Sequence, residues 1–423
     1  MELIADLHIH SKYAAASSAQ MTLENIAKVA ADKGIDLVST GDFTHPLWFN
    51  EIKAKLEEAG KGIYALKGSN LQTRFVLGVE IATISGTGGV FDKSRATKKV
   101  HHCVLAPSIE IAEQVNDRLS KYGDLSIDGR PILNMKPSEL VEVLYEVSRE
   151  IIVFPAHAWT PWFGVFGSMS GYDSMQEAYE EQEQHIHALE TGLSSDPPMN
   201  WRVSKLDKYT LVSNSDAHSL PKLGREANAI EVTNELTFKT ISDAIENKQV
   251  KYTIEFYPEE GKYHYDGHRK CGVSLSPQEA AKYHNMCPVC GKPLTLGVLH
   301  RVEDLADRPE GYVPKGAAPF VHAVPLMELI AEAEAKGTAS AYAQDLYTTL
   351  VKKFGSEFNV LLKANTGEIA KLSKRLALAI ENVRNNKVYV KPGYDGVFGV
   401  VDPFKERGGE DKKEQGQKSI SDF

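Results

Sequence analysis

Short apolar runs, each ending in a polar cluster, alternate with helical periodicity over residues 1 to about 255. Leu3-Ile4-Ala5 runs into Asp6-Leu7-His8-Ile9-His10-Ser11. The run 36–40 leads into Gly41-Asp42-Phe43-Thr44-His45, and 74–79 leads into Glu80. Val100 leads into His101-His102, 151–154 into Pro155-Ala156-His157, and 210–213 into Asn214-Ser215-Asp216-Ala217-His218. Helical patterns lie between, at 22–33 and 137–150. Strands alternating with helices predict a parallel sheet with crossovers, and chemistry at the strand C-terminal ends is the barrel arrangement.

The rhythm stops near 255, where the turn-rich stretch 256–261 marks a boundary. A Cys-rich segment follows. From 324 to 386 the spacing of Leu326, Leu329, Ile330 and Ala333, then Leu346, Leu350 and Phe354, then Ile369, Leu372, Leu376 and Ile380 is helical. The expected division is a barrel at 1–255, a zinc-ribbon domain at 256–315, a helical module at 316–402 and a disordered charged tail at 403–423.

With 423 residues, 42% hydrophobic and 25% charged, the composition is that of a soluble globular chain of two or three domains. No charged stretch followed by an apolar core opens the sequence, so the cytoplasm is the expected compartment. The longest apolar stretch, 151–169, is broken by proline, glycine and histidine, so a membrane span is not expected. Net charge −9 argues against a protein that coats nucleic acid electrostatically, though not against a local basic groove. Four cysteines make no disulfide framework. Cys103, alone in an apolar run, reads as a buried small hydrophobe.

Alternation along a strand puts His8 and His10 on one face, where two imidazoles can share a metal ion. The successive strand ends offer His8, His10, Asp42, His45, Glu80, His101 or His102, His157, Asp216 and His218. Mixed imidazole and carboxylate donors suit Zn²⁺, Mn²⁺ or Fe²⁺ better than all-oxygen cations. So many ligands imply two or three ions. Of His101 and His102, which alternation sends to opposite faces, His102 is the expected ligand. A second site is read from His268, Cys271, Cys287 and Cys290, with zinc-ribbon spacing and Gly291 for the knuckle turn. His264, His284 and His300 are the alternatives for its fourth ligand, and the site would be a closed structural one.

The motifs at His8-Ile9-His10, Gly78-Val79-Glu80, His101-His102 and Ser215-Asp216-Ala217-His218 resemble those of the polymerase and histidinol phosphatase (PHP) superfamily. The resemblance covers 1–255 and implies a distorted (β/α)7 barrel with a two- or three-metal phosphoesterase site. By analogy His8, His10, Glu80 and Asp216 hold one ion. Glu80 bridges to a second ion held by His102 and His157, and His218 serves a third position. Two departures are visible: Tyr13 stands near where many relatives carry a further His, and Asp42-Phe43 where many carry Asp-His, with His45 two places on.

Ribbon and helical module extend the resemblance to nearly the whole chain, to the endonuclease Q family of DNA-repair nucleases. That family nicks 5′ to uracil, hypoxanthine and xanthine and at abasic sites, which implies damaged DNA as substrate and Zn²⁺, Mg²⁺ or Mn²⁺ as catalytic ions. In this reading His218 or His45 assists proton transfer. Trp159, Trp162 and Phe163, just past His157, offer faces on which a base can stack. The tail pattern Gln417, Ile420, Phe423 resembles the motif by which repair proteins dock on sliding clamps. The rival readings are a small-molecule phosphatase of the histidinol-phosphate type, which needs neither ribbon nor helical module, and a non-catalytic lesion-binding protein.

Overall fold

The computed structural model describes residues 1–86 and 97–405. Nine strands position the candidate site: β1 Glu2–Asp6, β2 Leu37–Ser39, β3 Arg74–Ser85, β4 Lys98–Ala106, β5 Ile152–Pro155, β6 Ala188–Glu190, β7 Thr210–Val212, β8 Ala227–Glu231 and β9 Val250–Glu255. β1 pairs in parallel with β2, β2 with β3, and β6 with β7. The pairs β3–β4, β4–β5, β1–β8 and β8–β9 are antiparallel. The fold is therefore mixed α/β, which corrects the parallel sheet expected from the sequence. Hydrophobic periodicity identifies a strand but carries no information about its direction.

Past the named strands the backbone goes on pairing. Ala158 N donates to Glu190 O at 3.0 Å, Asp216 N to His8 O at 2.8 Å, and His10 N to Ala217 O at 3.0 Å. The buried Asp6 carboxylate fastens the same seam, accepting from Ser215 N at 3.0 Å, Ser215 Oγ at 2.6 Å and Gly224 N at 2.9 Å. Asn214 Oδ1 accepts from Leu7 N at 2.8 Å. These bonds set Asp216 between His8 and His10.

Helix Leu23–Lys33 starts at Thr22, whose hydroxyl accepts from Asn25 N, and stops at Gly34, which takes the left-handed φ of 85°. Its apolar face, Ile26, Ala27 and Ala30, joins the main core with Val38, Phe75 and Leu77. A second core on the opposite side of the strands gathers Leu3, Leu7, Val76, Cys103, Phe154 and Ile241. Helices Leu326–Glu334, Ala341–Phe354 and Lys374–Arg384 enclose a third. A small fourth core consists of Ala280, Cys287 and Leu294. Helix Val298–Leu305 packs Val298 and Val302 into the main core. From the same helix, buried Arg301 donates to Phe166 O at 3.0 Å and Tyr172 O at 2.9 Å. None of the described helices is long and apolar enough to cross a membrane.

Candidate active site

Glu80 is the hub of the site. It is fully buried in the middle of β3, and its two oxygens face different partners. Oε1 lies 2.7 Å from His101 Nδ1 and 3.0 Å from His157 Nε2. Oε2 lies 3.3 Å from His10 Nε2 and 3.1 Å from Arg130 Nη1. His8 Nε2 stands 3.7 Å from Glu80 Oε1 and 3.6 Å from Asp216 Oδ1, and His10 Nε2 stands 3.1 Å from the same Asp216 oxygen. Two groups able to hold a metal ion result: His8, His10, Glu80 and Asp216, and Glu80, His101 and His157. The chemistry of the atoms fits that use. His8 Nε2, His10 Nε2 and Asp216 Oδ1 are buried with no hydrogen-bond partner, and a buried polar atom left without a partner costs about 1–3 kcal/mol.

The protonation states are divided: against their burial, the anionic groups around them hold His8 and His10 well above the usual imidazole range and His157 above it, so a metal ion must displace those protons to bind. Burial alone would raise the Glu80 carboxyl, but the imidazoles packed around it, His101 and His8 foremost, outweigh burial and hold it well below the usual range. Burial pushes His101 down to about 4, so its ring is neutral near neutral pH, the form that ligates. The backbone is bent to aim these groups: Asp42, His157 and Asp216 take φ of 50°, 29° and 47°, values that non-glycine residues rarely adopt and that cluster at functional sites.

His101, and not the expected His102, joins the cluster. Glu80 and Cys103 are cross-strand partners of the antiparallel β3–β4 pair. Directly opposed residues share a face, and His101, two places from Cys103, shares it with them. His102 points through the other face, with Nε2 2.9 Å from Thr83 Oγ1 and Nδ1 3.0 Å from the Tyr179 hydroxyl. The expectation of ligands at strand C-terminal ends is also corrected here, because Glu80 and His101 project from within their strands.

Asp42 supports the cluster from behind. It lies 3.0 Å from His10 Nδ1 and accepts from Ser11 N at 2.6 Å. His45, expected beside it, is not brought in. It precedes helix Pro46–Lys55, its Nε2 meets Ser126 O at 3.2 Å, and its ring stacks on Tyr13 at 4.4 Å. His218 does reach the site: its ring lies 4.2 Å from that of His10, and its Nδ1 is 2.9 Å from Asp216 O. Trp159 is a core residue and not a stacking platform. It is 1% exposed, and its Nε1 donates to Asn200 Oδ1 at 2.7 Å. Trp162 is 38% exposed against Tyr263, and Phe163 packs at 4.3 Å on His101.

Two residues of the site escape sequence reading. Arg130 sits in a loop with no motif around it. Glu190 ends β6, which is too short to stand out, although an apolar run ending in a carboxylate is the same signal that found Glu80. Its buried carboxylate lies 3.1 and 3.2 Å from His8 Nδ1 and accepts from His157 N and Asn214 Nδ2, each at 2.7 Å. A third group, His8, Cys103 and Glu190, uses that far side of the His8 ring. An outer carboxylate fixes the tautomer and orientation of a ligating imidazole, and its loss typically costs 10–100-fold in metal affinity or activity. Glu190→Gln is accordingly expected to lower metal affinity at the cluster by about 10–100-fold, with little change in melting temperature. Isothermal titration with Mn²⁺ checks this, and an unchanged affinity would remove Glu190 from the site.

At the other cluster His268, Cys271, Cys287 and Cys290 bring their ligand atoms within 4.8 Å of one another. Cys290 Sγ lies 3.4 Å from His268 Nδ1, and Gly291 turns the knuckle with a φ of 69°. The alternatives for the fourth position lie outside this group. His300 Nδ1 is held 2.6 Å from Asp266 Oδ2, and His264 is buried with its ring stacked on Tyr265.

The chain is similar over 95% of its length to solved structures. It matches the lesion-specific endonuclease PfuEndoQ of Pyrococcus furiosus at 33% identity and a TM-score of 0.84, covering 95% of each chain. The chain belongs to the endonuclease Q family. An endonuclease Q bound to a 27-mer duplex with an abasic lesion at its active site matches at 32% identity and a TM-score of 0.82, over 95% of this chain and 96% of that one. Residues 325–387 match the family model described as the MJ0043 C-terminal domain. The uncharacterized protein MJ0043 of Methanocaldococcus jannaschii is 34% identical over 251 residues, 58% of this chain. The chain spans only 31% of the length of that relative.

Proposed function

We propose that the chain is a metal-dependent DNA endonuclease that nicks the phosphodiester 5′ to deaminated bases (uracil, hypoxanthine, xanthine) and at abasic sites. The observation that carries this reading is Glu80, one buried carboxylate serving two imidazole-rich groups in a member of the endonuclease Q family. When bound, metal ions supply Lewis-acid stabilisation of phosphoryl oxygens and acidify water. His8, His10, Glu80 and Asp216 would hold one ion, and Glu80, His101 and His157 a second, on a distorted PHP barrel formed by 1–255. The side chains do the positioning. Glu190, Asp42 and Thr160 fix the rings of His8, His10 and His157 through their second nitrogens, at 3.0 Å for Asp42 and 2.9 Å for Thr160. His218, partly exposed beside His10, would pass a proton to the departing oxygen. Trp162, exposed near Tyr263, and Phe163, packed on His101, would be the rings that meet an extruded base. A pocket built for the exocyclic oxygen of a deaminated base would reject adenine and cytosine, whose amino group it would leave unpaired.

His268, Cys271, Cys287 and Cys290 would hold a structural Zn²⁺ within 256–315, followed by a helical module at 316–402. The test of the activity is incubation with duplexes carrying uracil, hypoxanthine, an abasic site or no lesion, with and without Mg²⁺, Mn²⁺ or Zn²⁺. A lesion-dependent, metal-dependent nick is expected. Turnover of p-nitrophenyl phosphate alone would favour a phosphatase, and binding without cleavage a non-catalytic protein.

Gln417, Ile420 and Phe423 lie outside the described residues. On sequence they form a short segment able to dock on a sliding clamp by inserting Ile420 and Phe423 into an apolar pocket. Deleting 417–423 should leave nicking of a free oligonucleotide intact and abolish clamp binding in a calorimetric titration. Equal affinity with and without the segment would discard the idea.

A further inference from the structure

Arg130 is held on both sides by backbone bonds and delivered to the one carboxylate that both metal-capable groups share. Behind it, strand Ile132–Leu133 pairs in parallel with β3, Ala82 opposite Ile132, and Ala82 N donates to Pro131 O at 2.9 Å. Continued two residues back, that register sets Arg130 level with Glu80 and on its face. Ahead of it, Gly129 N donates to Tyr13 O at 3.1 Å. Asp128 Oδ1 accepts from Ala15 N at 3.1 Å and from Arg130 N at 3.0 Å. Gly129 lies so close to Asp42 that a Cβ there would meet its carboxylate at 2.5 Å. The loop is thus seated on the residue that supports His10.

The side chain uses little of its capacity. Nη1 donates to Glu80 Oε2 at 3.1 Å. The guanidinium has five N–H donors, and among the described residues its other donors meet no hydrogen-bond acceptor. Glu80 is fully buried, whereas the Arg130 side chain is 26% exposed, so the guanidinium stands between the buried cluster and solvent. A guanidinium in that position presents a planar fork suited to phosphate oxygens.

We propose that Arg130 is a catalytic residue. Anchored on Glu80 by Nη1, it contacts a non-bridging oxygen of the scissile phosphodiester and stabilises the charge that builds there as the bond to the leaving oxygen breaks. The inference rests on the phosphodiesterase reading above. The competing role is charge balance alone, in which Arg130 offsets the buried Glu80 and never meets substrate.

The test uses the full-length protein with Arg130→Ala and Arg130→Lys. Three quantities are read: metal per chain by mass spectrometry, affinity for a lesion duplex by anisotropy, and the single-turnover nicking rate at saturating DNA. Arginines that stabilise phosphoryl-transfer transition states contribute about 10³–10⁵-fold. The alanine variant is expected to nick at least about 10²-fold more slowly, with metal content unchanged and affinity for DNA little altered. Lysine should restore part of the rate, and added guanidinium ion should rescue the alanine variant. An alanine variant that loses metal and recovers its full rate in excess Mn²⁺ would overturn the proposal in favour of charge balance, and an unchanged rate would also overturn it. The same variants assayed on bis(4-nitrophenyl) phosphate separate the two readings. Wild-type turnover of that diester without lesion nicking would sink the lesion specificity and leave the Arg130 comparison intact. No turnover of any phosphodiester would sink both.

Discussion

Glu80→Ala should abolish nicking and strip the site of its metal while leaving the Cys cluster loaded. Removing Glu80 takes one ligand from each of the two groups at once. The loss should therefore exceed the 10–100-fold typical of an outer-sphere partner, at more than about 10³-fold. The packing term is small, because Glu80 contributes charge and hydrogen bonds, whereas the apolar contacts come from its neighbours Val79 and Ile81. Glu80→Gln is the stricter variant. It keeps the shape and one acceptor but replaces the carboxylate that balances His101, His157 and Arg130. Both variants are expected to fold, to bind one metal ion per chain instead of the full set, and to be inactive. Wild-type nicking by either would remove Glu80 from the mechanism.

How much of this could be read from the sequence depended on whether the deciding relation lies within one strand or between strands. His8 and His10 are two residues apart on β1, and alternation alone puts them on one face. Asp216 and His218 are legible for another reason, as a polar cluster directly after a strand-like run that matches a family motif. The choice between His101 and His102 depends on the pairing of Glu80 with Cys103, a register between two strands that neither strand encodes alone. The same limit hid strand direction, so a mixed sheet was read as parallel. His45 failed for a different reason: three residues after Asp42 the chain is already turning into helix Pro46–Lys55, which carries the ring away towards Tyr13. Trp159 and Trp162 are alike in sequence context, and only the tertiary fold decides that one is buried on Asn200 while the other stays at the surface. The Cys cluster was the easiest to read, because a Cys-x-x-Cys knuckle brings its two sulfurs together by local geometry. His268, the expected fourth ligand, is brought alongside by the hairpin of Asp266–His268 with Val273–Leu275.

Cys287→Ser is expected to release one metal ion per chain and to unfold the ribbon locally. The apolar core there is small: Ala280, Cys287 and Leu294 are its buried members, with Cys271, Val273, Leu275 and Leu296 packed at its edge. So few side chains cannot offset the backbone entropy of ordering such a segment, which costs about 1–2 kcal/mol per residue. Bound zinc supplies the difference in such sites, with apparent binding energies of about 10–16 kcal/mol in isolated zinc-finger peptides. Helix Val298–Leu305 should survive the change, since Val298, Val302 and Arg301 are tied to the main core and to Phe166 and Tyr172. Unfolding should therefore stop short of residue 298. Limited proteolysis should open new cuts between 266 and 296 in the variant and in chelator-treated wild type alike, with no new cuts before residue 256. The metal count should fall by one, and the cluster around Glu80 should stay filled. Unchanged metal content together with an unchanged proteolytic pattern would refute the structural-zinc assignment. Loss of the ion without new cuts would mean that the local packing suffices and the ion is not needed for the fold.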